Sequence, residues 1–375
     1  MSEPQAVLRD VLRGEATDWS GADAGRFIAL CGDLGVGPLV EKRLRDAGAL
    51  ERWPFAVRSA LHRSVLEAAA LVQLRERELA HVAGSLAAAD VAAIVIKGAA
   101  VARTHYADPR LRPAGDVDLL VRPDDVDRCR DALTRIGYSA ANETAGRFVT
   151  YQHHFVGPRH RGALVVDVHW KINNPQLFAG ILTFEEIDAE AMIIPGQAAA
   201  RCPSPVHSLL HAAVHRVAHG TNAIELLTVS DIHHIFSTLT ADEMRRFVSL
   251  AADRKVAAVT LSSLALAQDW FGTRVPDDIA AGLASRASAQ QEPSALYLRP
   301  MRPIDVLASD LAALDTWRER SRLIREHVLP PADYVLRAYG VSSRALLPAL
   351  YAHRLVTGAR RWFTRGSRES IVESR

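Results

Sequence analysis

A chain of 375 residues with a formal net charge of +2, 49% of them hydrophobic and 23% charged, has the profile of a globular protein long enough for two or three packed subdomains. The near balance of basic and acidic residues excludes a broad electrostatic footprint for duplex nucleic acid, and no apolar run approaches the length of a membrane span. Cys31, Cys129 and Cys202 are odd in number, scattered and without metal-ligand spacing, so disulfides are not expected and the cysteines read as buried small hydrophobes in a reducing compartment.

The opening "MSEPQAVLRDVLRGE" has no basic segment followed by an apolar one, and the expected location is the cytoplasm. Apolar residues at three and four spacing in "AVLRDVL", "AGRFIALCGDLG" and "VGPLVEKRLRDAG" predict helices, followed by a longer Ala-rich helix over about 54–83. After position 90 the period shortens. "VAAIVIKG" predicts a strand, "AAVARTHY" a short helix, "GDVDLLV" a second strand, and "RPDDVDRCRDALTRIGY" a helix opened by Pro123 and closed at Gly137. "RFVTYQHHFVG" and "ALVVDVHWKI" alternate around the turn-like "PRHRG" and predict an antiparallel pair. From position 203 the helical period returns, interrupted by a polar loop over about 287–293, and an Arg-rich amphipathic helix closes the chain with a solvated basic face. The expected fold is α+β: an N-terminal helical subdomain (1–89), a small mixed sheet of four or five strands (90–200) and a C-terminal helical subdomain (201–375).

The chemistry concentrates in the middle segment. Side chains two apart in a strand share a face, so Asp116 and Asp118 project together while Val117 and Leu119 face a core. Two carboxylates held close on a rigid strand repel unless a cation lies between them, and Mg²⁺, with Mn²⁺ as the alternative, is the expected ion. "VVDVHW" offers a third acid, Asp167, sharing its face with His169. Three carboxylates on adjacent strands suit a two-metal site for phosphoryl or nucleotidyl transfer. Upstream, Lys97 and Gly98 sit at a strand-to-helix turn where a phosphate can approach the backbone, and "DPRLRPAG" brings Arg110 and Arg112 toward the same mouth.

"KGAA", "DPRLRPAGDVDLLV" and "VVDVHWKI" together resemble the DNA polymerase β-like nucleotidyltransferase superfamily, and within it the bacterial family of uncharacterised nucleotidyltransferases. The resemblance covers the middle segment well and the region after position 203 more loosely, through "HAAVH" and "SDIHHIF". It implies that Asp116, Asp118 and Asp167 hold metal ions and that the turn at Gly98 cradles the nucleotide phosphates. Ala99 follows Gly98 where the wider superfamily has Ser or Gly, which removes a hydroxyl contact to phosphate; the narrower family is similar to this sequence in having Ala there.

The expected activity is transfer of NMP from an NTP, ATP being favoured, to an unidentified acceptor, with Lys97, Gly98, Ala99, Arg110 and Arg112 on the nucleotide. His169, Lys171, His211, His215 and Asp231 are candidates for the acceptor side. Asp231 could instead cap its helix or pair with His233 or His234. Two other readings compete: a nucleotide-binding scaffold of the same fold without turnover, and a metal hydrolase centred on His211, His215 and His219, which line one helical face but lack the glutamate of an H-E-x-x-H site.

Overall fold

The computed structural model describes residues 3–15, 18–113, 115–142, 148–162, 164–218, 225–289 and 292–363. Four helices open the chain: α1 (Glu3–Arg13), α2 (Ala24–Asp33), α3 (Gly37–Asp46) and α4 (Phe55–Ala88). At 34 residues α4 is about 50 Å long. Its first half packs Val57 and Leu61 among the N-terminal helices, and its second half lays Leu79, Val82 and Leu86 on the sheet.

The middle of the chain runs β1 (Ala93–Ile96), α5 (Lys97–Thr104), β2 (Asp116–Val121), α6 (Val126–Arg135), β3 (Ser139–Asn142), β4 (Gln152–Val156), β5 (Val165–His169), α7 (Gln176–Ala179), α8 (Phe184–Ala189), β6 (Met192–Ile194) and β7 (Gln197–Cys202). The strands form one seven-stranded mixed sheet in the order β3-β4-β5-β2-β1-β7-β6, which exceeds the four or five expected. The extra strands are short or poor in β-branched residues: β3 reads "SAAN" and β7 "QAAARC". Partners rather than propensity hold them in the sheet. The β6–β7 hairpin turns at Gly196, where φ is 77°, a conformation glycine adopts without steric cost.

Strand alternation separates the two faces. Val95, Val117, Leu119, Val121, Val166 and Val168 join α4 and α6 in a core behind the sheet. Ile94, Ile96 and Leu120 join Val101 and the helices α9 (Pro205–Ala218), α10 (Leu226–Thr238), α11 (Ala241–Asp253) and α12 (Ala257–Phe271) in a larger core in front. Beyond these lie α13 (Asp277–Ala289), α14 (Pro303–Ala313), α15 (Trp317–Val328), α16 (Ala332–Ala338) and α17 (Leu347–Phe363). Helix α13 extends into the expected polar loop, and the end of the basic C-terminal segment, 364–375, is outside the described residues. All three cysteines are buried and free. Among the described residues no helix is long and apolar enough to cross a membrane.

Candidate active site

The site begins at the β1–α5 turn. Lys97 has φ of 57°, the left-handed region that costs a non-glycine residue about 1 to 2 kcal/mol. Packing on both sides holds it there: Ile96 is buried in the sheet, and Ala99 to Ala102 are buried along α5. At Gly98 an added Cβ would lie 3.0 Å from three guanidinium atoms of Arg112. That guanidinium cannot easily yield, because Asp231 of α10 grips it with two hydrogen bonds of 2.8 Å. Tyr106 donates to the same carboxylate at 2.9 Å and lies 2.8 Å from Ser230 Oγ. Asp231 therefore neither caps its helix nor pairs with a histidine. His234 packs instead on the Tyr106 ring with centroids 4.0 Å apart, and His233 meets Thr273.

Parallel pairing of β2 with β5 sets Asp118 opposite Asp167, so both carboxylates, with Asp116 and His169, stand on the front face. Asp118 Oδ1 accepts from Lys97 Nζ at 2.7 Å and from His169 Nε2 at 2.7 Å. Burial opposes the charge on Asp118, yet Lys97 and His169 outweigh it and hold the carboxyl well below the usual range. Burial and the adjoining Lys97 keep His169 neutral by lowering its pKa. Asp116 shifts the other way: burial first, then the charges of Asp118 and Asp167, raise it. The donor atoms of Asp118, Asp167 and His169 lie within 4.8 Å of one another.

A cleft of about 250 Å³ opens between this part of the sheet's front face and helices α9 and α10. Lys97, Gly98, Arg112, Asp116 and Asp118 line one wall, and Ser208, His211, His215, Thr228 and Asp231 the other. His211 gives its Nε2 hydrogen to the Ile172 carbonyl at 3.1 Å, and burial with the nearby Lys97 lowers its pKa to about 3, so it faces the cleft as a neutral ring. His219 is outside the described residues. Ala99 is buried in α5 and does not line the cleft. Arg110 does not line it either: it is exposed and spends its guanidinium on Asp108, two residues away. Lys171 sits 4.3 Å over the Tyr151 ring, and burial lowers its pKa.

Three further polar residues belong to this neighbourhood. His154 Nδ1 lies 2.6 Å from Asp167 Oδ1, and Gln152 Nε2 lies 3.1 Å from His154 Nε2. Alternation in "YQHHF" puts 152 and 154 on one face, and pairing with β5 makes that the face of Asp167 and His169, so this signal was present in the sequence. The third, Arg75 of α4, is buried with Nε and one Nη unpartnered, and it feels the charges of Asp116 and Arg112. Nothing local marks it, since its relation to the site spans long-range packing.

The carboxylate oxygens form a donor set suited to a hard divalent cation, while His169 directs Nε2 at Asp118. Burial first, and then the like charges of Asp118 and Asp167, raise the pKa of Asp116, and a cation among the three would relieve the repulsive part. The residues present therefore fit a metal ion of the Mg²⁺ or Mn²⁺ kind. A family model described as uncharacterised nucleotidyltransferase matches residues 20–272. No curated protein matches the chain.

Proposed function

The chain belongs to the uncharacterised nucleotidyltransferase family, and from that premise we propose that it transfers NMP from an NTP to an acceptor nucleophile and releases pyrophosphate. One observation carries the reading: Asp116 and Asp118 line a cleft beside a strand-to-helix turn bearing Lys97 and Gly98, and the adjacent strand β5 sets a third carboxylate, Asp167, directly opposite Asp118. Asp116, Asp118 and Asp167 would hold the divalent cation, with His169 within reach. When bound, such an ion supplies Lewis-acid polarisation of the phosphoryl oxygens.

Lys97 and Arg112 bind the triphosphate, and Gly98 admits it close to the backbone. The acceptor oxygen attacks the α-phosphorus. Its proton passes to Asp167, and the bond to the bridging oxygen breaks, so that pyrophosphate departs with the electron pair. His211, His215 and Asp231 form the opposite wall of the cleft, where a neutral His211 offers its remaining ring nitrogen as a hydrogen-bond acceptor to a hydroxyl or amino group. Mg²⁺ and Mn²⁺ are the ions, and ATP the first donor, to test.

Calorimetric titration of the four NTPs with Mg²⁺, on wild type and on an Asp116→Asn/Asp118→Asn variant, tests the reading. Metal-dependent binding lost in the variant supports it; equal binding by both proteins sinks it. The saturation of Asp118 Oδ1 by Lys97 and His169 favours one second reading, a nucleotide-binding protein without turnover. NTP binding without pyrophosphate release in the presence of any acceptor would select that reading.

A further inference from the structure

Strand geometry fixes where the Cβ of Asp167 stands, but it leaves the carboxylate plane open, because the terminal torsion of an aspartate is broad and roughly two-fold. A ligand or proton acceptor needs that plane fixed. In this chain the neighbouring strand supplies the missing constraint. His154 lies directly opposite Asp167 in the β4–β5 ladder, on the same face, with Nδ1 2.6 Å from Asp167 Oδ1. Two residues earlier on β4, Gln152 directs its amide nitrogen at the far side of the same ring, 3.1 Å from Nε2.

The direction of this chain follows from the chemistry of its ends. An amide nitrogen only donates, so His154 Nε2 accepts and the ring proton sits on Nδ1. Nδ1–H then donates to Asp167, whose carboxylate only accepts. Gln152 thus sets the tautomer of His154, and His154 sets the plane of Asp167.

We propose that His154 is a positioning residue for Asp167, held in its working tautomer by Gln152, so that the third acid of the site is oriented from β4 and not from the helices that wall the cleft. This rests on the reading of Asp167 as a ligand and proton acceptor. Partners of this kind are worth about 10- to 100-fold in metal affinity where they orient a ligand.

The test uses the full chain and Mn²⁺ alone, with free ion followed by electron paramagnetic resonance. Wild type is compared with His154→Leu, His154→Asn, Gln152→Leu and, as the site control, Asp118→Asn. Asparagine carries an N–H donor at the position of Nδ1, so His154→Asn is expected to bind Mn²⁺ nearly as wild type does, while His154→Leu loses about 10- to 100-fold. In turnover, His154→Leu lowers kcat and leaves KM for the NTP in place. Should the leucine variant fail to fold, Gln152→Leu decides alone: it keeps the imidazole, removes its alignment and must weaken Mn²⁺ binding. Wild-type affinity in His154→Leu, or equal loss in the Leu and Asn variants, overturns the proposal while Asp118→Asn still reports a metal site. Equal binding by wild type and Asp118→Asn sinks the reading of the acids along with it.

Discussion

At the scale of single residues, Asp118 and Asp116 are adjacent on one face yet electrostatically opposite. Lys97 and a hydrogen bond from His169 hold Asp118 ionised, whereas burial and its neighbours' charges push Asp116 toward the protonated form. Asp116→Asn therefore removes a charge the fold tolerates poorly, and its thermal midpoint should equal or exceed that of wild type. Its NTP-dependent turnover should drop by more than about a hundredfold, because a charged ligand has gone. Wild-type turnover in that variant would contradict the assignment. Lys97 competes for the carboxylate that a cation would use. Lys97→Met should bind Mn²⁺ more tightly than wild type without nucleotide and bind Mg²⁺–NTP more weakly, each by roughly tenfold, the size of one charge-assisted contact. Titrations of metal and nucleotide separately distinguish the two effects, and a parallel change in both would refute this double role.

Between elements, the Arg112–Asp231 pair joins the loop before β2 to α10. Both partners are buried, so removing one leaves a charge without compensation. Asp231→Leu is expected to cost about 3 to 5 kcal/mol, and Arg112→Met/Asp231→Leu to recover much of that loss. Denaturant melts of the two variants check it; an equally unstable double variant would show that the pair's geometry, not its charge, matters. The double variant should still bind NTP poorly, having lost a phosphate contact. At this scale the sequence was readable where periodicity is strong. Alternation in "GDVDLLV" and "VVDVHW" defines the polar face that the structure shows, whereas "QAAARC" carries no strand signal and becomes β7 only because β1 and β6 flank it.

For the whole molecule, helices α13–α17 lie beyond the residues matched by the family model, and they reach the sheet region through a buried acid. Asp310 of α14 accepts the Gln176 backbone N–H at 2.7 Å, and burial raises its pKa from 3.8 to about 7. The folded state thus keeps this proton where the unfolded chain has already released it. No stability is lost below about pH 4, stability falls as pH rises from about 4 to 7, and the full cost, about 4 kcal/mol, applies above that. Asp310→Asn keeps the accepting oxygen and removes the titration. It should match wild type in thermal midpoint near pH 4 and exceed it at pH 8. Parallel pH profiles for the two proteins would show that Asp310 does not titrate between the states.

Hydrophobic period and local motif are short-range properties, and they determined what depends on neighbours in the chain: the α+β class, the family, the antiparallel pairing of the two strands after position 148, and the common face of Asp116 and Asp118. The tertiary structure decided what depends on residues far apart in the chain. It paired Arg112 with Asp231, set α9 and α10 opposite Lys97, and brought Arg75 into the field of Asp116. Such encounters follow from how helices pack over a twisted sheet, and no period within a single element encodes them.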